Sequence, residues 1–577
     1  VQQVEGRYDR IISPPPGNIM RSIFNSQRIV FIIAVSILIL LIALPLFLLL
    51  YKSFVDREEN LSFSNYVAVF SKKRNYIPIW NTLKIGILTV LLSTLIGVPL
   101  AWIVARTDIP FKRLFETLLL LPYMIPPFIG AIAWTQLLSP RVGYINRFFM
   151  SLFDTSHPLF NIYSLLGIVW VMSLHNYPFI FITVRGALER MDPSLEEVAQ
   201  ISGSGRFKVM KDITLPLVTP AITSGMLLSF VYTISNFGIP ALIGMRARVY
   251  VLTTQIFTYV YTGEFGGIKL ATALSTLLMV TAGAGVIINR WYLSRKQYTI
   301  IAGKSVRPNV VELGKWKYPI LIMISLFALL VVIAPLMAVF SSSFLKAWGV
   351  PLRWANLTFK NYSYILFDFG LTKSAIKNSI ILSLSAATIT TIIGSIIAYI
   401  TVKTQLKGER ILDFLATLPY SIPGTVVAVA MILAWSGQFK INLYNTFWII
   451  LVAYIARYMF FAFRNVSASL EQIHSSLEEA ARISGATWIR NFRDIIVPLI
   501  KPGLIASWFL ISMPTLRELT MSALLVGPHT PTIGAAVFEL QDAGSYQAAA
   551  ALAALLIVIV LLGNYLTRKF MGATLKV

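Results

Sequence analysis

A few polar side chains stand where an apolar chain has least reason to hold them. His175 and Asn176 interrupt MSLHNYPFIF, and Arg457 interrupts AYIARYMFFAF. Arg517 and Glu518 follow Pro514, and their counterparts in an earlier, similar stretch are Ser235 and Asn236. Ionisable groups inside apolar spans are costly and by default mark the route of a polar solute. Arginines there favour an anion, or a metal carried with anionic ligands. Two further clusters are acidic: Glu196 and Glu197 in LEEVAQISGSG, and Glu478 and Glu479 in LEEAARISGAT. Other chemistry-bearing residues form no constellation. His157, His474 and His529 lie far from any carboxylate or histidine at ligand spacing. The sequence has no cysteine, which excludes thiolate nucleophiles, thiolate metal sites and disulfides. No catalytic triad or carboxylate pair of suitable spacing occurs, so these residues point to recognition and passage rather than to an enzyme.

The elements that must position them are membrane spans. The chain is 56% hydrophobic and 13% charged, with a mean hydropathy of +0.72. Soluble domains carry about 25% charged residues, and Ile29 to Leu50 alone exceeds the roughly 20 residues that cross a bilayer. Hydropathy places spans near 29–51, 79–105, 114–138, 163–184, 218–242 and 267–290. A second set follows near 318–341, 376–402, 411–434, 444–463, 501–525 and 546–567. The expected fold is therefore an all-α polytopic membrane protein of about 12 transmembrane helices. The net charge of +24 reads as lysine and arginine gathered in cytoplasmic loops, not as a nucleic-acid surface. With both termini inside, Lys and Arg favour the inner loops by roughly two to one, although Lys72, Lys73 and Arg74 break the trend. The tail before Ser26 has no apolar core and does not read as a cleavable leader.

The two sets of six spans repeat one another. LPYMIP (121–126) returns as LPYSIP (418–423), and Asn81 and Gly97 return as Asn378 and Gly394, all at an offset of 297. Residues 195–220 match 477–502 at an offset of 282, with 12 of 26 positions identical. At that offset His175 corresponds to Arg457. The two groups are expected to face one another across the interface between halves. Six spans per unit make the repeat a parallel one. The implied division is a cytoplasmic N-terminal tail (1–28), a first unit (29–290), a basic linker (291–317), a second unit (318–567) and a C-terminal tail (568–577). Each acidic cluster falls between the fourth and fifth spans of its unit. Loops usually vary most, so a loop that is among the best-matched segments implies a similar partner surface for each half.

The spacing Glu197-Val-Ala199, Gly203 and Ile213-Thr-Leu215-Pro216 resembles the cytoplasmic signature of ATP-binding cassette (ABC) importer permeases. The second copy is Glu479-Ala-Ala481, Gly485 and Ile495-Ile-Val497-Pro498, departing only at Val497. The resemblance covers nearly the whole chain as two pseudo-symmetric six-helix type I ABC importer permease units. It implies that each loop is a coupling helix docked on a cytoplasmic ATPase. Glu196, Glu197, Glu478 and Glu479 would belong to that joint, with Glu197 and Glu479 making polar or ionic contacts there. Ala199, Ala481, Gly203 and Gly485 would allow close packing and the turn. No G-x-x-x-x-G-K-[ST] loop occurs in the sequence. ATP and magnesium would therefore be bound by two copies of a separate ATPase, and this chain would need no cofactor of its own. The family also implies an extracytoplasmic solute-binding protein and a bacterial inner (plasma) membrane. Segments 130–146 and 516–525 resemble the ferric-iron branch of these permeases. Organophosphonate, polyamine and thiamine permeases are the alternatives, and an ion-coupled secondary transporter is the rival from another class.

Overall fold

A computed structural model describes residues 17–56, 58–264, 266–295, 310–404, 406 and 408–570. The N-terminal tail to residue 16, most of the linker and the C-terminal tail lie outside the described residues. Among the described residues ten helices are long and apolar enough to cross a membrane. In the first unit they are Arg28–Ser53, Lys73–Arg106, Leu165–Arg190, Phe207–Ser235 and Gly267–Ile288. In the second they are Gly314–Ser343, Gly370–Lys403, Phe447–Glu471, Ile489–Leu516 and Tyr546–Thr567.

The third span of each unit is not the straight helix that hydropathy suggests. Lys112–Met124 and Pro127–Leu138 meet at 102°, and Glu409–Ser421 and Gly424–Trp435 meet at 115°. The repeated prolines cause the break. A residue before proline is pushed out of the helical region, and Ile125 (ψ 138°) and Ile422 (ψ 130°) are extended ahead of Pro126 and Pro423. The fifth spans also begin earlier than expected, because the basic stretches 206–213 and 488–495 run on into them. Elsewhere proline is absorbed without a break. Widened π-helical turns at Ile39–Ala43, Met210–Thr214, Leu329–Ile333 and Phe492–Ile496 each sit just ahead of a proline, respectively Pro45, Pro216, Pro335 and Pro498. The extra residue relieves the clash with the carbonyl one turn back.

Close packing of the second and fourth spans forms the centre of each unit. A side chain at Gly97 would meet the Tyr177 carbonyl at 2.9 Å, and one at Gly394 would meet Ala462 at 2.5 Å. Small residues that let backbones approach are the usual interface of membrane helices.

The first span of each unit crosses to the other. Leu41, Ile42, Pro45 and Leu46 lie against Pro419, Ile422 and Met431 of the second unit. Val331, Val332, Pro335 and Leu336 lie against Pro122, Ile125 and Ile129 of the first. The end of each crossing helix is tied by a repeated hook. The Ser53 hydroxyl lies 2.8 Å from the Tyr66 hydroxyl, and Asn65 donates to the Ser53 and Val55 carbonyls. Ser343, Tyr362, Asn361 and Leu345 repeat those contacts.

Candidate functional site

The two acidic loops fold alike. The first is helix Ser194–Ile201, opened by Asp192, whose carboxylate accepts the Ser194 N–H at 2.9 Å. That bond, with one from the Ser194 hydroxyl, holds the Asp192 carboxyl below its usual range. The helix closes with the Ser204 N–H on the Ala199 carbonyl and Gly203 at φ +86°. In the second loop, Ser475–Ile483 closes with the Ala486 N–H on the Ala481 carbonyl and Gly485 at φ +79°. Both are left-handed glycine caps. No atom lies within 4 Å of where a side chain would begin at either glycine. Within this chain the two residues serve conformation, not close packing.

Adjacent glutamates on a helix cannot share a face, and here they divide the work. Glu196 is buried. Its carboxylate takes an ion pair from Arg106 at 2.8 Å and a hydrogen bond from the Thr214 hydroxyl at 2.6 Å. Glu478 is also buried, with Lys403 at 3.3 Å, the Tyr399 hydroxyl at 3.1 Å and Asn491 at 3.5 Å. Arg106 and Lys403 end the second spans of their units, so each loop is bolted to the tip of a membrane helix. Glu197 and Glu479 point outward, as do Leu195, Val198 and Ile201 in one loop and Leu477 and Ile483 in the other. Ala199 is half-buried and Ala481 is buried. Reasoning from sequence missed the bolts. The signal was present, because Arg106 and Lys403 share the offset of 297 that relates Gly97 to Gly394.

The end of the linker joins the first bolt. The Val311 N–H donates to the Arg106 carbonyl at 2.7 Å, and the Leu313 N–H to Asp108 at 3.0 Å. Lys317 pairs with the same carboxylate at 2.9 Å. The Leu313 N–H first, then Lys317, hold the Asp108 carboxyl below its usual range. A depressed carboxylate stabilises the tie above its unfolded value and loses that contribution as pH falls through the folded one. The protection factor of the Leu313 amide, its rate relative to the intrinsic rate at each pH, should therefore be high near neutrality and fall as the pH drops below about 4, the ordinary carboxylate range. Equal protection on both sides of that range would contradict the assignment.

The intramembrane residues converge on the two broken spans. Arg457 donates to the Ile422 and Pro419 carbonyls, and Arg517 donates across the units to the Met124 and Tyr123 carbonyls. Each guanidinium thus meets the C-terminal end of a broken helix, where carbonyls lack helical partners. Aromatic pairs repeat beside the breaks: Tyr123 edge-on to Phe179 at 5.2 Å, and Tyr420 edge-on to Phe461 at 5.7 Å. His175 is buried and stacks on Tyr232, with ring centroids 5.9 Å apart. Its Nε2 lies 3.4 Å from the Tyr232 hydroxyl.

Three of the other polar residues are consumed by structure. Asn176 donates to the Thr233 hydroxyl at 2.7 Å, and Asn236 accepts the Ile239 N–H at 3.1 Å. Glu518 is buried and accepts from the Met521 and Ser522 N–H groups and the Ser522 hydroxyl, opening the short helix Ser522–Leu525. Ser235 is half-buried at the end of its helix.

Beyond the breaks, on the side away from the acidic loops, the units are sealed together. Phe237 and Phe257 of the first unit pack on Phe538 of the second at 5.7 and 5.8 Å. Arg246 donates to the Gln541 carbonyl at 2.8 Å and lies over the Tyr546 ring. Asn81 and Asn378 tie the second spans to the segments that follow the fifth, through the Tyr250 and Pro531 carbonyls.

A ferric transport system permease from Actinobacillus pleuropneumoniae is 28% identical over 82% of this chain and 68% of its own length. A putative ferric transport system permease from Haemophilus influenzae is 30% identical over 72% of this chain. The match spans 65% of that relative's length. A second Fe(3+)-transport system permease from Haemophilus influenzae is 26% identical over 93% of this chain and 98% of its own length. The model of the binding-protein-dependent transport system inner membrane component matches twice, at residues 97–293 and 390–573. With that domain present in both halves, the chain belongs to the family of inner membrane components of binding-protein-dependent transport systems, as a fused two-unit permease.

Proposed function

We propose that this permease imports ferric iron, driven by two copies of a cytoplasmic ATPase and supplied by an extracytoplasmic binding protein. The observation that carries the mechanical reading is the pair of buried bolts, Arg106–Glu196 and Lys403–Glu478. Each loop offers an outer face of one exposed carboxylate and exposed Leu and Ile side chains to a partner. Its inner face grips the end of a membrane helix. A partner that draws the loops together would pull on the second spans, and those pack closely on the fourth. Opposite-sign stress would then reach the aromatic seal at the far end. This reading places the loops, the linker and both termini in the cytoplasm of a bacterium, and the seal on the outer side.

Iron as cargo is supported by the ferric-transport names of the relatives that align over most of this chain. Co-purification from membranes should recover an ATPase at two copies per permease. Proteoliposomes holding that complex should accumulate radiolabelled ferric iron only with ATP inside and the binding protein outside. Uptake without any ATPase would overturn the drive, and uptake of another solute in preference to iron would overturn the cargo.

A further inference from the structure

We propose that Arg457 and Arg517 form one oxyanion-binding site at the centre of the membrane, accepting carboxylate or phosphate groups. The proposal rests on the permease reading for the route of the cargo, but not for the chemistry of the site. Arg457 lies on Phe447–Glu471 and Arg517 at the end of Val497–Leu516, two helices packed on one another; they reach the second-unit and the first-unit break respectively, so both stand at one seam. Both are half-buried. Each uses only Nη1 on the carbonyls of a helix break. Their Nε and Nη2 groups have no hydrogen bond within the described residues and are not among the enclosed unpartnered atoms. They therefore keep accessible surface for a further partner. Among the described residues no carboxylate pairs with either group within 4 Å. Glu518 acts on Arg457 from farther off, with its oxygens already occupied by the 521–522 amides.

Tying down a helix break does not require charge. Asn81 and Asn378 anchor carbonyls elsewhere with neutral amides. The repeat does not require it either, because the first-unit counterparts are His175 and Ser235. A guanidinium inside a bilayer is costly, and its remaining donors form a planar fork that fits an oxyanion in two-point contact. The site would meet the cargo through anionic oxygens. It would repel a bare trivalent cation and accept one whose outer surface is carboxylate or phosphate.

The test uses the full-length permease in maltoside micelles, which contain no phosphate, with radiolabelled inorganic phosphate and citrate as probes. Saturable binding is expected for at least one probe, weakened about tenfold or more in R457Q or R517Q, as the loss of one charged two-point contact predicts. R457K and R517K keep the charge and should fall between. Added phosphatidylglycerol separates the sources: competition assigns the site to a lipid headgroup, and its absence assigns it to a soluble anion. In case the glutamine variants misfold, hydrogen exchange on the unaltered chain gives an independent reading. Phosphate or citrate should slow exchange in peptides covering 119–130 and 417–428. Absence of saturable binding, unaltered binding in both glutamine variants, or unaltered exchange at both breaks would overturn the proposal. Neither probe contains iron, so such a failure would leave the ferric reading untouched. Failed iron uptake would equally leave anion binding intact.

Discussion

With Glu196 and Glu478 both changed to alanine, ATP-driven uptake is expected to collapse while the chain still inserts. Each glutamate is the acceptor for a buried cation. The Arg106 side chain is 2% exposed and that of Lys403 is 11% exposed. Removing one partner of a buried ion pair typically costs about 3–5 kcal/mol, because the other charge is left without compensation. The loops would detach from the second spans, and motion imposed on them would no longer reach the membrane. Hydrolysis by the partner ATPase should persist. The ratio of solute moved to ATP hydrolysed should fall by roughly tenfold or more, the equivalent of about 1.4 kcal/mol of lost coupling. Glutamine at the same positions keeps an acceptor for Thr214 and Tyr399 but loses the charge, and should be intermediate. A reversed pair, R106E with E196R, should recover part of the loss in the first unit. An unchanged transport ratio in the double alanine variant, measured in proteoliposomes, would rule out the bolts as the mechanical link.

The glycine caps give the second large effect, and here shape separates two explanations. If Gly203 and Gly485 were needed for space, any side chain would fail. Because nothing lies within 4 Å of either position and both have positive φ, the demand is on backbone conformation. Asparagine visits the left-handed region readily, whereas a β-branched residue there is an outlier. G203N/G485N should therefore keep most uptake. G203V/G485V should pay about 1–2 kcal/mol at each cap, unwind the end of each loop helix and uncouple hydrolysis from transport. Equal loss in the asparagine and valine variants would point instead to a partner surface pressed against the glycines.

Much of the design was legible in the residues themselves. The period of the duplication, the six spans per unit and the loop between the fourth and fifth spans all followed from hydropathy and internal matching. Hydropathy has no sense of direction, however. It read 114–138 and 411–434 as straight spans although LPYMIP and LPYSIP carried the breaking prolines in plain view. Nor did it show that the Glu518 carboxylate caps the next helix. Another repeat escaped notice, LSFSNY (61–66) against LTFKNY (357–362), whose Asn and Tyr build the hooks. The crossing of the first spans was not legible at all. An apolar helix has no face that distinguishes lipid from a neighbouring unit, since neither contact exposes a polar group.

That crossing also sets a timetable. The first span, residues 17–53, finds packing partners in the second unit among helices Gly370–Lys403, Glu409–Thr417, Gly424–Trp435 and Phe447–Glu471. At about 5–20 residues per second, the ribosome needs on the order of 20–80 s after finishing the first helix before those partners exist. For that interval the helix must wait in lipid, held at its far end by Gly267–Arg295 once that span emerges. Maturation of this protein is thus a closing of two clasps late in synthesis, and a chain truncated before residue 409 would leave its first helix without the groove it was made to fill.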